Sequence, residues 1–141
     1  MMGMDEEKMQ EQIFILQQLQ AESEAVQRRI VELELVQAEL DKTIESLEYF
    51  ESLDGSVEAL MNLGGGVFAY VDVKDSKKML VDVGAGIIVE KQVDEAIETL
   101  KRKKEKVNEN IAKLEQVLQQ IVGQARRIQE ELAKAQKESK E

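Results

Sequence analysis

Two long heptad repeats of apolar residues, one toward each end of the chain, constrain the fold more than any other feature. The first covers residues 5–52 and is interrupted at core positions by Gln12, Ser23 and Gln37. The second covers residues 92–137 and has one charged core residue, Lys104. Heptads sustained over this length, in a chain without proline, predict coiled-coil helices rather than ordinary amphipathic ones.

The segment between the repeats, residues 53–91, has a different composition and holds six of the eight glycines. Short β-rich runs at residues 67–73 and 78–83 flank a polar turn at 74–77, a pattern that predicts a β-hairpin. Shorter runs at 60–63 and 87–89 predict two further strands, so that four strands form a pair of hairpins. The chain thus divides into an N-terminal helix (1–52), a double hairpin (53–91) and a C-terminal helix (92–141).

Two successive hairpins bring the chain back to the end of the first helix, so the second helix should pack antiparallel to the first. Residues that face each other should then have numbers that sum to about 144. Charge supports this arrangement, since residues 5–52 carry 13 acids and 4 bases whereas residues 92–141 carry 10 acids and 11 bases. The basic run at 101–104 would lie beside acids of the first helix and favour one register. These acids are Glu39, Asp41, Glu45 and Glu48.

The residue types present leave few groups for catalysis. With no histidine and no cysteine, the usual nucleophile–base pairs and zinc ligand sets cannot form. We therefore expect no enzyme activity, no metal and no cofactor. Asp72, Asp75 and Asp82 could be acid–base or metal groups, but solvated turns and strand edges explain them better. A phosphate cradle at residues 64–66 would need a helix after it, and a strand follows instead.

The overall charge and hydropathy limit the classes of partner that are expected. A formal net charge of -10 repels nucleic-acid backbones, so we expect no nucleic-acid partner. No apolar run approaches the ~20 residues that span a bilayer, and the acidic N-terminus is unlike a secretory signal. A soluble, cytoplasmic protein is expected.

Two apolar surfaces remain without an intramolecular role. Ile13, Phe14 and Ile15 occupy e, f and g positions that a two-helix coil leaves exposed, and with Met1, Met2, Met4 and Met9 they predict a flexible apolar tip. Scattered surface hydrophobes are the alternative interpretation. The strand at 67–73 is apolar on both faces, which four strands cannot bury, so the hairpins should assemble with other subunits.

Three segments resemble the archaeal-type alpha class of the prefoldin family: residues 63–68 (LGGGVF), 81–91 (VDVGAGIIVEK) and 93–97 (VDEAI). Asn62 and Gly65 depart from the family pattern, which often has proline and alanine there. The resemblance implies a hexamer of two alpha-class and four beta-class subunits whose hairpins form an oligomeric β-barrel. The implied activity is ATP-independent capture of unfolded polypeptides at coiled-coil tips, followed by delivery to a group II chaperonin.

The fold class expected is α+β and mostly α, a long antiparallel two-helix coiled coil with two β-hairpins that join a β-barrel. Client contact is assigned to Met9, Ile13, Phe14, Leu16, Ile128 and Leu132. Subunit assembly is assigned to Val67, Phe68, Ala69, Tyr70, Val71, Val73, Met79, Val81 and Val83. A structural coiled-coil scaffold that forms filaments through its hairpins is the main alternative, and a nucleic-acid adaptor ranks third.

Overall fold

The chain forms two long helices with four short strands between them, as predicted. The computed structural model describes residues 5–140, so the predicted contribution of Met1, Met2 and Met4 lies outside the described residues. The elements in chain order are α1 (Glu6–Glu51), β1 (Val57–Gly64), β2 (Val67–Val73), β3 (Lys78–Asp82), β4 (Ile88–Gln92) and α2 (Val93–Lys140).

Both ends of α1 are capped by local hydrogen bonds. The backbone N–H of Lys8 donates to Oδ1 of Asp5 at 2.8 Å, so Asp5 serves as the N-cap. At the other end, the backbone N–H of Ser52 donates to the carbonyl of Glu48, and its hydroxyl donates to the carbonyl of Tyr49. Gly55 follows with a φ of 71°, a left-handed conformation that turns the chain away from the helix.

The chain divides into two compact units, each with its own core. The terminal unit comprises residues 5–35 and 108–140, and its core lies on the seam between the two helices. Gln12 and Glu131 line one groove of this unit, and Ser23 and Ile121 line the next. Numbers rise along one helix as they fall along the other, so the helices are antiparallel in the predicted register. The buried core residues are Leu19, Ile30, Leu33, Ile111, Ile121 and Ala135.

The middle unit comprises residues 36–107, and its core joins the helices to the second hairpin. Ile44, Val93 and Ile97 are buried together, with Leu47, Phe50, Met79 and Leu100 packed against them. Each fully buried aliphatic side chain of this kind contributes about 1.5–3 kcal/mol.

The predicted pairing between the basic run of α2 and the acids of α1 is present in the middle unit. Nζ of Lys104 lies 2.5 Å from Oδ1 of Asp41. Glu48, Lys101 and Arg102 line one groove of about 780 Å³ in the same unit. Opposite charges thus face each other across the two helices.

The hairpins are connected differently from the prediction. β1 pairs with β2 and β3 pairs with β4, each antiparallel, in separate two-stranded sheets. The hairpin predicted between residues 67–73 and 78–83 is therefore wrong. The physical reason is that the glycine segments make the tight turns: Gly64, Gly65 and Gly66 all have positive φ, and so do Gly84, Ala85 and Gly86.

The polar segment at 74–77 instead attaches the chain to the end of α1. Ser76 is fully buried; its N–H donates to the carbonyl of Gly55 at 3.0 Å and its hydroxyl to that of Leu53 at 3.2 Å. Nζ of Lys77 donates to the carbonyl of Glu51, where a cation favours the helix C-terminus. This segment is a linker between the hairpins and not a turn within one.

Candidate functional site

The terminal unit carries the residues predicted to contact clients, and they fall into two groups. Ile13 and Phe14 are exposed, Phe14 at 59%. Met9, Leu16, Ile128 and Leu132 are half-buried, because they occupy a and d positions of the seam. We call these six residues the tip surface. The first group is the more exposed of the two.

Ile15 was expected to be exposed together with Ile13 and Phe14, but it is half-buried. It lines a groove of about 310 Å³ with Leu19, Arg127 and Ile128. A g position flanks the seam, and here the long side chain reaches across to α2. The exposed part of the predicted tip is therefore smaller than the heptad assignment indicated.

The first hairpin presents one face that is largely open. Leu60 on β1 pairs directly with Tyr70 on β2, and Asn62 pairs with Phe68, so these side chains share a face. Tyr70 is 80% exposed, and Leu60 and Phe68 are also exposed. A β-bulge between Asn62 and Gly64 precedes the turn. On the opposite face, Ala69, Val71 and Val73 are half-buried.

The second hairpin repeats this arrangement. Leu80 on β3 is 75% exposed, and Ile88 on β4 is exposed beside it. Met79, on the other face, packs against the core of the middle unit, and Val81 is buried. We call five of the exposed apolar residues of the two hairpins, those on the two open faces, the hairpin surface: Leu60, Phe68, Tyr70, Leu80 and Ile88.

The predicted assembly residues overlap only partly with the hairpin surface. Phe68 and Tyr70 belong to it, and Val67 and Val83 are exposed near the turns. Met79 packs against the core of the middle unit and Val81 is buried, whereas Leu60, Leu80 and Ile88, which the prediction does not include, are exposed. The sequence contains a signal for these three residues, because segment 60–70 can be aligned with segment 80–90. In this alignment the two glycine turns superpose, Asn62 aligns with Asp82, and Phe68 aligns with Ile88. The aligned leucines, Leu60 and Leu80, are both exposed.

Two of the three acidic side chains considered for chemistry take part in turns, and the third, Asp72, lies within β2. Oδ1 of Asp75 accepts from the backbone N–H of Lys77 at 2.9 Å, and Oδ1 of Asp82 accepts from that of Gly84 at 2.8 Å. Asn62 accepts from Gly64 in the same way. Within residues 5–140, no cluster of three potential metal ligands occurs. No helix among those residues is long and apolar enough to span a bilayer.

Comparison with known proteins agrees with this architecture. The family model described as Prefoldin subunit matches residues 19–138. The chain is 61% identical over 128 residues to a protein named prefoldin subunit alpha from Archaeoglobus fulgidus, covering 91% of this chain and 93% of that one. It is 38% identical over 100 residues to the protein of that name from Methanocorpusculum labreanum, covering 71% and 68%.

A solved structure has the same fold. The cryo-EM structure of filamentous PFD from Methanocaldococcus jannaschii matches with a TM-score of 0.71 at 20% identity, over 80% of this chain and 93% of that one. Together with the sequence relatives, the paired hairpins and the antiparallel helices lead to one conclusion: the chain belongs to the prefoldin family of chaperone subunits, in its alpha class.

Proposed function

We propose that this chain is a subunit of an ATP-independent holdase that captures unfolded proteins at the tip surface. The observation that carries the proposal is the exposure of Ile13 and Phe14 on adjacent outward positions of α1. Outward positions of a coiled coil are normally polar, so two large apolar side chains there favour an apolar partner. An unfolded polypeptide offers such side chains without a fixed shape, and Met9 nearby can adapt to them.

The test replaces Ile13 and Phe14 with serine in the full chain and measures suppression of aggregation of an unfolded client without nucleotide. We expect suppression to fall severalfold while assembly is unchanged. Val117 and Val122 on α2 provide a matched control, because each is 41% exposed, close to the 45% of Ile13. Their replacement with serine should leave suppression intact. Equal loss in both variants would contradict the tip assignment.

The hairpin surface supports a second part of the proposal, assembly into a hexamer of two alpha-class and four beta-class subunits around a β-barrel. Two separate two-stranded sheets leave every outer strand edge unpaired, and an isolated two-stranded hairpin gains stability when a larger sheet is completed. Tyr70→Asp with Leu80→Asp should abolish assembly with a beta-class subunit, measured by native mass. Lys78→Ala, on the same strand as Leu80, is the control. An intact hexamer in the double variant would contradict the barrel.

Delivery to a group II chaperonin completes the proposal and rests on family membership. The test loads the assembled chain with a labelled unfolded client, adds the chaperonin and follows transfer of the label. We expect transfer without ATP hydrolysis by this chain. Retention of the client after the chaperonin is added would limit the function to holding.

A structural scaffold remains the second candidate, and one observation favours it: the matching solved structure is that of a filamentous protein. Unpaired hairpin edges can join copies into open arrays as well as closed rings. Electron microscopy of the chain alone and with a beta-class subunit separates the two candidates. Closed particles bearing coiled coils support the chaperone, and continuous fibres under both conditions support the scaffold.

A further inference from the structure

A second line of heptad positions runs along the outside of α1, away from the seam. Its b and f positions are spaced alternately by three and four residues, as the core positions of a coiled coil are. Between residues 17 and 35, all of these positions are exposed. Two of them hold large apolar side chains, Val31 at 55% and Leu35 at 67% exposure. We call this set of residues, which lies wholly within the terminal unit, the outer stripe: Gln17, Ala21, Glu24, Arg28, Val31 and Leu35.

The outer stripe also carries two opposite charges that are not paired within the chain. Glu24 and Arg28 are exposed, and neither takes part in the ion pairs formed among residues 5–140, which are Arg29–Glu32 and Asp41–Lys104. A shallow groove of about 430 Å³ runs past both charges, and α1 alone forms it. The residues that line this groove are Glu24, Gln27, Arg28, Val31 and Glu32.

The order of side chains along the outer stripe makes it complementary to itself. When two copies of α1 lie antiparallel, the f positions of one copy face the b positions of the other. In one register, Glu24 faces Arg28 of the second copy. Because a two-fold contact is reciprocal, Arg28 then faces Glu24 of the second copy as well. Small and large side chains also alternate across the contact, which lets the two helices approach closely. The remaining facing pairs are Ala21 with Val31 and Gln17 with Leu35.

The residues beside the outer stripe fit the same register. Ala25 and Gln27 lie next to the two-fold axis, each opposite its own copy. The acidic side chains farther out, Glu32 and Glu34, lie opposite glutamines of the second copy, and a glutamine amide can donate a hydrogen bond to a carboxylate. Between residues 17 and 35, no acidic side chain therefore faces another. This is notable in a segment, residues 5–52, that carries 13 acids and only 4 bases.

Other antiparallel registers of the outer stripe place charges badly. In either adjacent register, Glu24 faces an apolar residue, Ala21 or Leu35. The register that would pair Val31 with Leu35 puts Glu32 and Glu34 each opposite its own copy. Like charges placed opposite each other across an interface oppose binding. Charge complementarity therefore selects the register in which Glu24 faces Arg28.

We propose that the outer stripe binds the outer stripe of a second copy of this chain, antiparallel, with Glu24 and Arg28 paired reciprocally. In the proposed assembly, every α1 runs toward the hairpins that build the barrel, so neighbouring coils of one particle run in the same direction. The second copy therefore belongs to another particle, and the contact joins two particles through their coiled coils. The inference goes beyond the proposed chaperone function and takes from it only the assembly through the hairpins.

Charge reversal in the full chain, assembled with a beta-class subunit, tests the reciprocal pair. The dissociation constant for pairs of particles is measured by sedimentation. Glu24→Arg alone and Arg28→Glu alone each place like charges opposite each other twice, so each should weaken association by about tenfold. A mixture of particles carrying one or the other substitution should associate like the unsubstituted particles, because every arginine then faces a glutamate. Both substitutions in one chain should restore association for the same reason.

Cysteine cross-linking tests the direction and register of the contact. Because the chain has no cysteine, Gln27→Cys provides a single thiol beside the two-fold axis, and a short bis-maleimide should link two such chains. Glu34→Cys, also at an exposed position, should not link to itself but should link to a Gln20→Cys chain. Parallel helices would link both Gln27→Cys and Glu34→Cys to themselves, and the register that pairs Val31 with Leu35 would link Glu34→Cys to itself. Either result overturns the proposal.

A substitution of the apolar part of the stripe has a matched control on α2. Val31→Gln should weaken association severalfold, whereas Val122→Gln, at a position that is 41% exposed and outside the stripe, should leave it unchanged. Unsubstituted particles that do not associate, or association that ignores charge reversal, overturn the proposal. So does a Val31→Gln variant that associates normally but suppresses aggregation less, because the stripe then binds clients.

The failure of this proposal can be told apart from the failure of the proposed function. The association measurements contain no client and no chaperonin, so particles that stay separate but suppress aggregation leave the chaperone function standing. Particles that pair as expected but do not suppress aggregation leave the contact between outer stripes standing.

Discussion

At the scale of single residues, the two hairpin turns share a hydrogen-bond pattern and a backbone conformation but form them with different side chains. Asn62 and Asp82 each accept a hydrogen bond from the glycine two positions later. The middle turn residue is Gly65 in one hairpin and Ala85 in the other, with φ values of 59° and 52°. Ala85 shows that this backbone conformation accommodates a Cβ. The position of Gly65, where the chain departs from the family pattern, therefore does not require glycine.

Alanine substitutions in the first turn should consequently differ by position. Gly65→Ala should lower the free energy of unfolding by about 1 kcal/mol, because the lower entropy of the unfolded chain offsets only part of the left-handed strain of about 1–2 kcal/mol. Gly64→Ala should lower it by more, since the φ of 94° at Gly64 lies outside the left-handed helical region. Both are measured by chemical denaturation of the assembled protein. Equal losses of stability for the two substitutions would show that Gly65 and Ala85 do not occupy equivalent positions in their turns.

Ser76 gives a second prediction at this scale. It is the one fully buried polar residue within the described part of the chain, and its hydroxyl donates to the carbonyl of Leu53. Ser76→Ala leaves that carbonyl without its donor and should lower the free energy of unfolding by about 1 kcal/mol. Ser56→Ala, at an exposed position, should change it by less than about 0.5 kcal/mol. No difference between the variants in thermal unfolding would mean that the linker does not stabilise the middle unit.

At the scale of elements, the heptads at residues 5–52 and 92–137 agree with the bounds of α1 and α2 to within three residues, but the pattern did not predict how the strands are connected. A heptad identifies both the helix and its buried stripe, which is why α1, α2 and the Asp41–Lys104 pair were foreseen. Alternation along a strand shows two faces but not which face the core covers. Met79 packs against the core around Val93 while Leu80 is exposed, and no local pattern encodes that contact.

Lys104 illustrates what a charged residue does in a seam. It occupies an a position, is half-buried and pairs with Asp41. Such a residue favours one register at a cost in stability, and an exposed pair contributes at most ~1 kcal/mol. Lys104→Leu should therefore raise the free energy of unfolding by about 1 kcal/mol or more, through added apolar burial. Asp41→Ala should lower it by less than that. A destabilised Lys104→Leu chain in urea denaturation would mean that the ion pair outweighs leucine burial.

At the scale of the whole molecule, the terminal and middle units differ in what they need from other chains. The terminal unit buries large residues of its own, including Ile30, Leu33 and Ile111. The hairpins of the middle unit leave their outer strand edges unpaired and the hairpin surface uncovered. Because unpaired edges are open to water, we expect the amide protection of the strands to depend on assembly and that of the coiled coil to be independent of it.

Hydrogen exchange of a chain that cannot assemble should show which amides depend on assembly for their protection. In the Tyr70→Asp, Leu80→Asp variant, amides of β1 to β4 should exchange much faster than in the assembled protein, because partner strands no longer accept their hydrogen bonds. Amides near Ile30 and Ile111 should keep most of their protection, since both side chains are buried within the terminal unit. The Lys78→Ala control should exchange like the unsubstituted protein. Loss of protection in the helices together with the strands would show that the coiled coil folds only after the hairpins find partners.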